Sequence, residues 1–333
     1  ITSFIVDSTA TLFEVTPVTT PSNGYDSLNY TFASTVAGTI HYEGICNSDE
    51  TTAWADDNTI IFNPLDEGTY SNCKIKVYDS TGNVSNTLTI STFIIDSTAA
   101  TLAEVTPVTT PSNDNTPNYT FVSTEAGTIT YGGSCSSQDT AASAGSNTIT
   151  LNSLSDGTYS NCSIRVTDSG GNSETLIMNS FVVDTFPPTL AQVTPVMSPS
   201  NDNTPNYTFS SNEAGIISYE GICNSVDSAT AGNNTITLNS LSEGAYSNCK
   251  ITVTDSAGNV SDSLIMSSFV VDATAPVLFS VTITSNNSDS TLANPGDKID
   301  LFITSSEAIQ TPTVTIAGQN ATVTGSDNIT WSA

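Results

Sequence analysis

Gly157-Thr-Tyr-Ser-Asn-Cys162-Ser-Ile-Arg-Val-Thr-Asp168-Ser-Gly-Gly-Asn172 occurs two more times, almost letter for letter, from Gly68 to Asn83 and from Gly244 to Asn259. The stretch predicts a strand followed by a turn. Tyr159, Cys162, Ile164 and Val166 carry apolar or thiol side chains, and from Cys162 onward they alternate with polar residues at the period of two that a half-buried strand requires. Asp-Ser-x-Gly-Asn then supplies a hairpin turn, with Gly or Asn where positive φ is needed.

The repetition extends well beyond this stretch. Phe4, Phe93, Phe181 and Phe269 sit in equivalent segments, at intervals of 89, 88 and 88 residues. Helical repeats run about 33 to 47 residues and propeller blades about 40 to 50, whereas a seven-stranded immunoglobulin-type sandwich needs roughly 100. The period therefore predicts all-β architecture: tandem immunoglobulin-like β-sandwiches of about 88 residues. Residues 1–7 match the last strand of each repeat and read as the last strand of a preceding domain, absent or supplied by a partner. Domains then follow at 8–96, 97–184 and 185–272, with a partial, divergent fourth at 273–333. In the second repeat, strands are expected at 102–108, 119–123, 128–131, 148–151, 160–167 and 176–183, separated by Pro-, Gly- and Asn-rich turns. No window repeats apolar residues at helical spacing for more than a turn.

Five basic residues face 33 acidic ones, for a formal net charge of −28. Nucleic acid and anionic lipid both demand Lys and Arg, so neither is an expected partner. No apolar run approaches the roughly 18 to 20 residues of a membrane span, so no insertion is expected. Such acidity serves solubility or attracts cations.

The six cysteines fall one pair to a repeat: Cys46 with Cys73, Cys135 with Cys162, and Cys223 with Cys249, separated by 27, 27 and 26 residues. The first member of each pair ends the third expected strand and the second begins the sixth. These strands are antiparallel neighbours in the sandwich, so one disulfide per repeat is expected. Zinc would need more ligands, and no histidine recurs. Disulfides imply an oxidising, extracellular or cell-surface location.

Catalysis is not expected. His41 is the only histidine, its counterparts being Thr130 and Ser218, and no Ser-His-Asp constellation can be assembled.

Calcium is the sharper expectation. Asp79, Asp168 and Asp255 open the hairpin turns; Asp7, Asp96, Asp184 and Asp272 close each last strand; Asp114 and Asp202, with Asp26 as a shifted counterpart, precede the second strand. All three classes are expected near domain ends, where carboxylates, Asn carbonyls and backbone oxygens match calcium's preference. The competing reading is that these residues form turns by bonding their own backbone.

The Gly-Thr-Tyr-Ser-Asn-Cys-x-Ile-x-Val-x-Asp-Ser-x-Gly-Asn pattern, together with Val271-Asp-Ala-Thr-Ala-Pro276, resembles the bacterial Ig-like domains strung in tandem in large secreted surface proteins and adhesins. The resemblance covers residues 8–272. It implies an extracellular stalk and, in several members, calcium between domains, which would fall on Asp96, Asp168, Asp184 and their equivalents. The cysteine pair is not general in that family, and the Ala-Pro following the linker Asp is lost at Ala10 and at Ala99-Ala100.

Three functions follow as expectations. The first is a structural stalk, whose partners are neighbouring domains of the same chain or other copies, with any surface receptor undefined. The second is a filament subunit joined by strand complementation. The third is a glycan-binding module, which would require exposed aromatics gathered on one face; Trp54 is the only tryptophan in the three repeats.

Overall fold

The computed structural model describes residues 8–24, 28–316, 318–325 and 327–333. The expected last strand at 1–7, with Asp7, lies outside the described residues, as does Asp26. The described residues contain strands and turns but no helix. The first two repeats lie in one compact unit, while the third repeat, apart from residues 185–186 and 256–259, lies with the final segment in a second.

The first repeat contains β1 (Leu12–Thr16), β2 (Leu28–Ser34), β3 (Gly38–Glu43), β4 (Thr52–Ala53), β5 (Asp56–Phe62), β6 (Gly68–Tyr70), β7 (Lys74–Tyr78), β8 (Leu88–Thr89) and β9 (Phe93–Ile95). The second repeats the series as β10 (Leu102–Thr106), β11 (Asn118–Ser123), β12 (Gly127–Gly132), β13 (Ala141–Ala142), β14 (Gly145–Thr150), β15 (Gly157–Tyr159), β16 (Ser163–Thr167), β17 (Ser173–Ile177) and β18 (Phe181–Val183). In the second repeat one sheet runs β10-β11-β14 and the other β13-β12-β16-β17, with β15 pairing β18. The first and third repeats have the same order. All these pairings are antiparallel, and the two sheets share one core, which is the immunoglobulin-type sandwich.

Alternation explains the core. Tyr119 and Phe121 of β11, Ile129 of β12, Ile149 of β14, and Ile164 and Val166 of β16 all point inward and are essentially inaccessible. Burying each such side chain stabilises the fold by about 1.5 to 3 kcal/mol. The opening stretch forms one arm of a long hairpin: Gly157 pairs with Val183 and Thr167 with Ser173, and the register does not shift between them. Tyr159 stacks on Phe181 with ring centroids 5.2 Å apart, and its hydroxyl donates to Ser155 O at 2.8 Å. Tyr70 and Tyr246 do the same toward Asp66 O and Ser242 O, the tyrosine corner of such sandwiches.

Several expectations need correction. The strand expected at 160–167 starts later, as β16 at 163–167, with a separate β15 before it at 157–159, and that expected at 176–183 is divided between β17 and β18. The short strand β13 has no alternating pattern to reveal it. Cys135 lies beyond the end of β12, just after a turn at Gly133-Ser134, rather than at the strand's last position.

The three disulfides pair as expected, with Cα separations of 5.4, 5.2 and 5.4 Å. Gly133 makes the approach possible: its φ is +74°, and a Cβ there would overlap Asn161 O, immediately before Cys162. Gly44 against Asn72 and Gly221 against Asn248 repeat the arrangement.

A second recurrent device joins the start of each repeat to its end. Ser112 N donates to Val182 O at 2.9 Å and Asp184 N to Ser112 O at 2.9 Å, a parallel bridge between the segment after β10 and strand β18. Ser22 and Ser200 occupy the same position against Ile94 and Asp96, and against Val270 and Asp272.

In the final segment Leu278–Ser285 pairs antiparallel with Ile299–Ser305, its register shifting between Leu278 and Ser280, two positions earlier than the shift in the first strand of each repeat. Ser305 Oγ donates to Glu307 O as Ser123 Oγ does to Glu125 O. Val277, Phe279, Val281 and Ile283 remain exposed.

Candidate metal centre

Asp168 is the first residue after β16, and Asp96 follows β9, at the junction of the first two repeats. Their carboxylates come together with that of Glu125, in the turn between β11 and β12, so that one oxygen from each lies within 4.8 Å of the others. Asp168 is buried, and Asp96 and Glu125 are half-buried. Burial first, then the charges of Asp96, Asp168 and Glu67, raises the Glu125 pKa above the usual carboxylate range. No basic residue contributes to that shift, so the carboxylates repel one another uncompensated.

The turn chemistry separates this site from its counterpart in the first repeat. Asp79 is satisfied by its own turn: its Oδ1 accepts from Thr81 N at 2.9 Å, Thr81 Oγ1 at 2.8 Å and Asn83 N at 2.9 Å, and its Oδ2 from Asn83 Nδ2 at 2.9 Å. Those bonds, led by the Thr81 hydroxyl, lower its pKa to about 2. A carboxylate depressed this way stabilises the fold above its unfolded pKa and loses that contribution as pH falls through the folded one. The first repeat should therefore weaken between about pH 4 and about pH 2, and Asp79→Asn should flatten that limb in melting curves taken across the range.

In the second repeat Gly170 replaces Thr81, and the hydroxyl donor is gone. Among the described residues Asp168 keeps bonds from Asn172, Oδ1 accepting from its N at 2.9 Å and Oδ2 from its Nδ2 at 3.1 Å. A Cβ on Gly170 would lie 2.8 Å from Asp96 O and 3.3 Å from Asp168 Oδ1, so the glycine leaves backbone and carboxylate oxygens gathered around one small space. The donor set is all oxygen, as a hard cation requires.

The other expected ligands are placed as follows. Asp114 and Asp202 lie outside the carboxylate groups: each Oδ1 accepts from the N and Oγ1 of the Thr two residues on, at 2.8 to 3.1 Å, which is the turn-forming role. Asp184 and Asp272 close their strands, and Asp255 opens the third repeat's turn. The sequence reading missed Glu125. Aligning the repeats exposes it, since Ser123-Thr-Glu-Ala-Gly127 matches Ser211-Asn-Glu-Ala-Gly215, whereas the first repeat has Val36. It also missed the acids that hold the linkers: Glu67 accepts from Ser97 and Thr98, Asp156 from Thr185, and Glu243 from Ala273 and Thr274.

Sheet order, shared cores and disulfides define a tandem array of immunoglobulin-type sandwiches. No family model matches the chain, and no curated protein does. It is similar to the solved fibronectin(III)-like modules of Clostridium thermocellum CbhA, at 14% identity over 52% of this chain and 94% of that one, with a TM-score of 0.30. It is also similar to Bacteroides ovatus SGBP-B in complex with a mixed-linkage heptasaccharide, at 14% identity over 81% and 72%, TM-score 0.15. Salmonella alpha-2-macroglobulin gives 10% identity over 90% and 25%, TM-score 0.19.

Proposed function

We propose that this chain is a stalk segment of an extracellular or cell-surface fibrous protein of the bacterial, adhesin-like kind, in which cations bind between successive sandwiches. The observation that carries the reading is the tether between the first two repeats. Asn172 Nδ2 of the second repeat donates to Asp96 O at 2.7 Å, Ser97 and Thr98 are held by Glu67 of the first, and Thr101 N donates to Thr124 Oγ1 at 2.8 Å. A linker bonded to both neighbours suits a spacer, as does near-identity among units that all need the same property. Three disulfides fit an oxidising compartment.

Asp96, Glu125 and Asp168 would hold calcium, which would neutralise their mutual repulsion and add to the tether. The same residue types recur in sequence as Asp184, Glu213 and Asp255.

The test is a melting curve of the full chain with calcium and with chelator. Calcium should raise the midpoint, because a ligand confined to the folded state stabilises it. Glu125→Gln should raise the chelated midpoint by removing a repelling charge, and shrink the calcium response. An unchanged midpoint on chelation would remove calcium from the proposal. A compact particle in small-angle scattering would remove the stalk.

A further inference from the structure

The first repeat departs from the other two in a group of aromatic residues. Trp54, Tyr78 and His41 stand where the second repeat has Ser143, Thr167 and Thr130, and the third has Thr230, Thr254 and Ser218. The sandwich therefore does not need these rings. Trp54 is 69% exposed, yet its loop is fixed: Trp54 N donates to Asn58 Oδ1 at 2.7 Å, while Asn58 Nδ2 donates to Trp54 O at 2.9 Å and Asp56 O at 2.8 Å. Tyr78, braced by His41 with ring centroids 5.0 Å apart, lines the same open cleft of about 320 Å³. Thr39, Thr52 and Ser80 complete its walls, and none of their hydroxyls is engaged by a protein hydrogen bond among the described residues.

The backbone supplies an independent sign. Asp56, two residues after Trp54, holds φ at +117°, where the other repeats place Gly145 and Gly232 at +105° and +107°. A non-glycine residue retained in that region is strained, and such strain collects at functional loops.

We propose that this cleft of the first repeat binds a neutral saccharide, with the indole face of Trp54 under the apolar face of a sugar ring and the Thr39, Thr52 and Ser80 hydroxyls meeting its hydroxyls. An aromatic side chain on a hydrogen-bonded loop, beside open hydroxyls, suits a ring that is apolar on its face and polar at its rim. Acidic sugars are disfavoured, since Asp56 and Asp57 flank the loop of a chain whose net charge is −28. The Asp79 carboxylate that lines the cleft already accepts from Thr81 and Asn83, which leaves the Thr39, Thr52 and Ser80 hydroxyls as the polar groups open to a ligand.

The full chain should be applied to an array of neutral hexose, pentose and N-acetylhexosamine oligosaccharides with their sialylated and sulfated counterparts. Binding should be confined to neutral members. Titrating the best of them should shift tryptophan emission to shorter wavelength, a clean signal because the only other tryptophan, Trp331, is buried. Trp54→Ser and Tyr78→Thr install residues that the second repeat already accommodates, so the fold should persist by circular dichroism while affinity falls at least tenfold. Binding unaffected by Trp54→Ser, preference for acidic sugars, displacement by choline, or no binding at all would overturn the proposal.

Discussion

Replacing both Cys135 and Cys162 by alanine should lower the stability of the second repeat by about 3 kcal/mol, which for a domain of this size moves its melting transition down by some 12 to 24 °C. The bond closes a 27-residue loop, so the unfolded repeat regains the chain entropy that the cross-link withheld. Both sulfurs are also buried, so alanine leaves small unfilled volumes beside Ile164 and Met178 in the same core. Calorimetry of the full chain should show one transition moved and the others in place. Reductant on the parent protein should move the transitions of all three repeats. A midpoint that stayed put would mean that the sandwich core alone holds the repeat.

Gly133→Ala should cost at least about 3 kcal/mol, far more than a glycine substitution usually does. Positive φ accounts for about 1 kcal/mol. The rest comes from overlap of the new methyl with Asn161 O, which relaxes only if the two backbone segments flanking the disulfide move apart. Gly82→Ala is the matched control: its φ is +94°, but nothing lies within 4 Å of the added carbon. Denaturant unfolding of the two variants separates conformational cost from overlap. Equal destabilisation would show that the close approach carries no energy.

Much of this was legible in the residues. The recurrence of Phe93, Phe181 and Phe269, the alternation around Ile164 and the cysteine spacing each reflect a local rule, either period two or chain reach, so they fix repeat length, strand class and disulfide pairing. Asp96 and Asp168 were also legible as a converging pair, because both flank strands that end at the same junction. Glu125 was not: it sits on a turn with no local signature, and only the return of β12 beside β16 brings it near Asp168. Asp114 was legible only as two alternatives, ligand or turn former. Its turn-forming chemistry resembles that of a ligand, and nothing in the sequence says that Thr116 will take its carboxylate first. The aromatic cleft needed Tyr78 and Trp54, distant in sequence, to line one wall.

The parallel bridge at Ser112 has a mechanical meaning for a chain pulled from its two ends. Ser112 lies near the entrance of its repeat and Val182 and Asp184 near the exit, on neighbouring parallel segments, so tension drags them in opposite directions along their shared axis. Both hydrogen bonds are then loaded together in shear instead of being peeled one after the other. Should that latch give way, the bond between Cys135 and Cys162 still locks 27 residues out of the extending chain, which shortens the length released by about 90 Å for each ruptured repeat. Under load each repeat is thus a shock absorber with a hard stop.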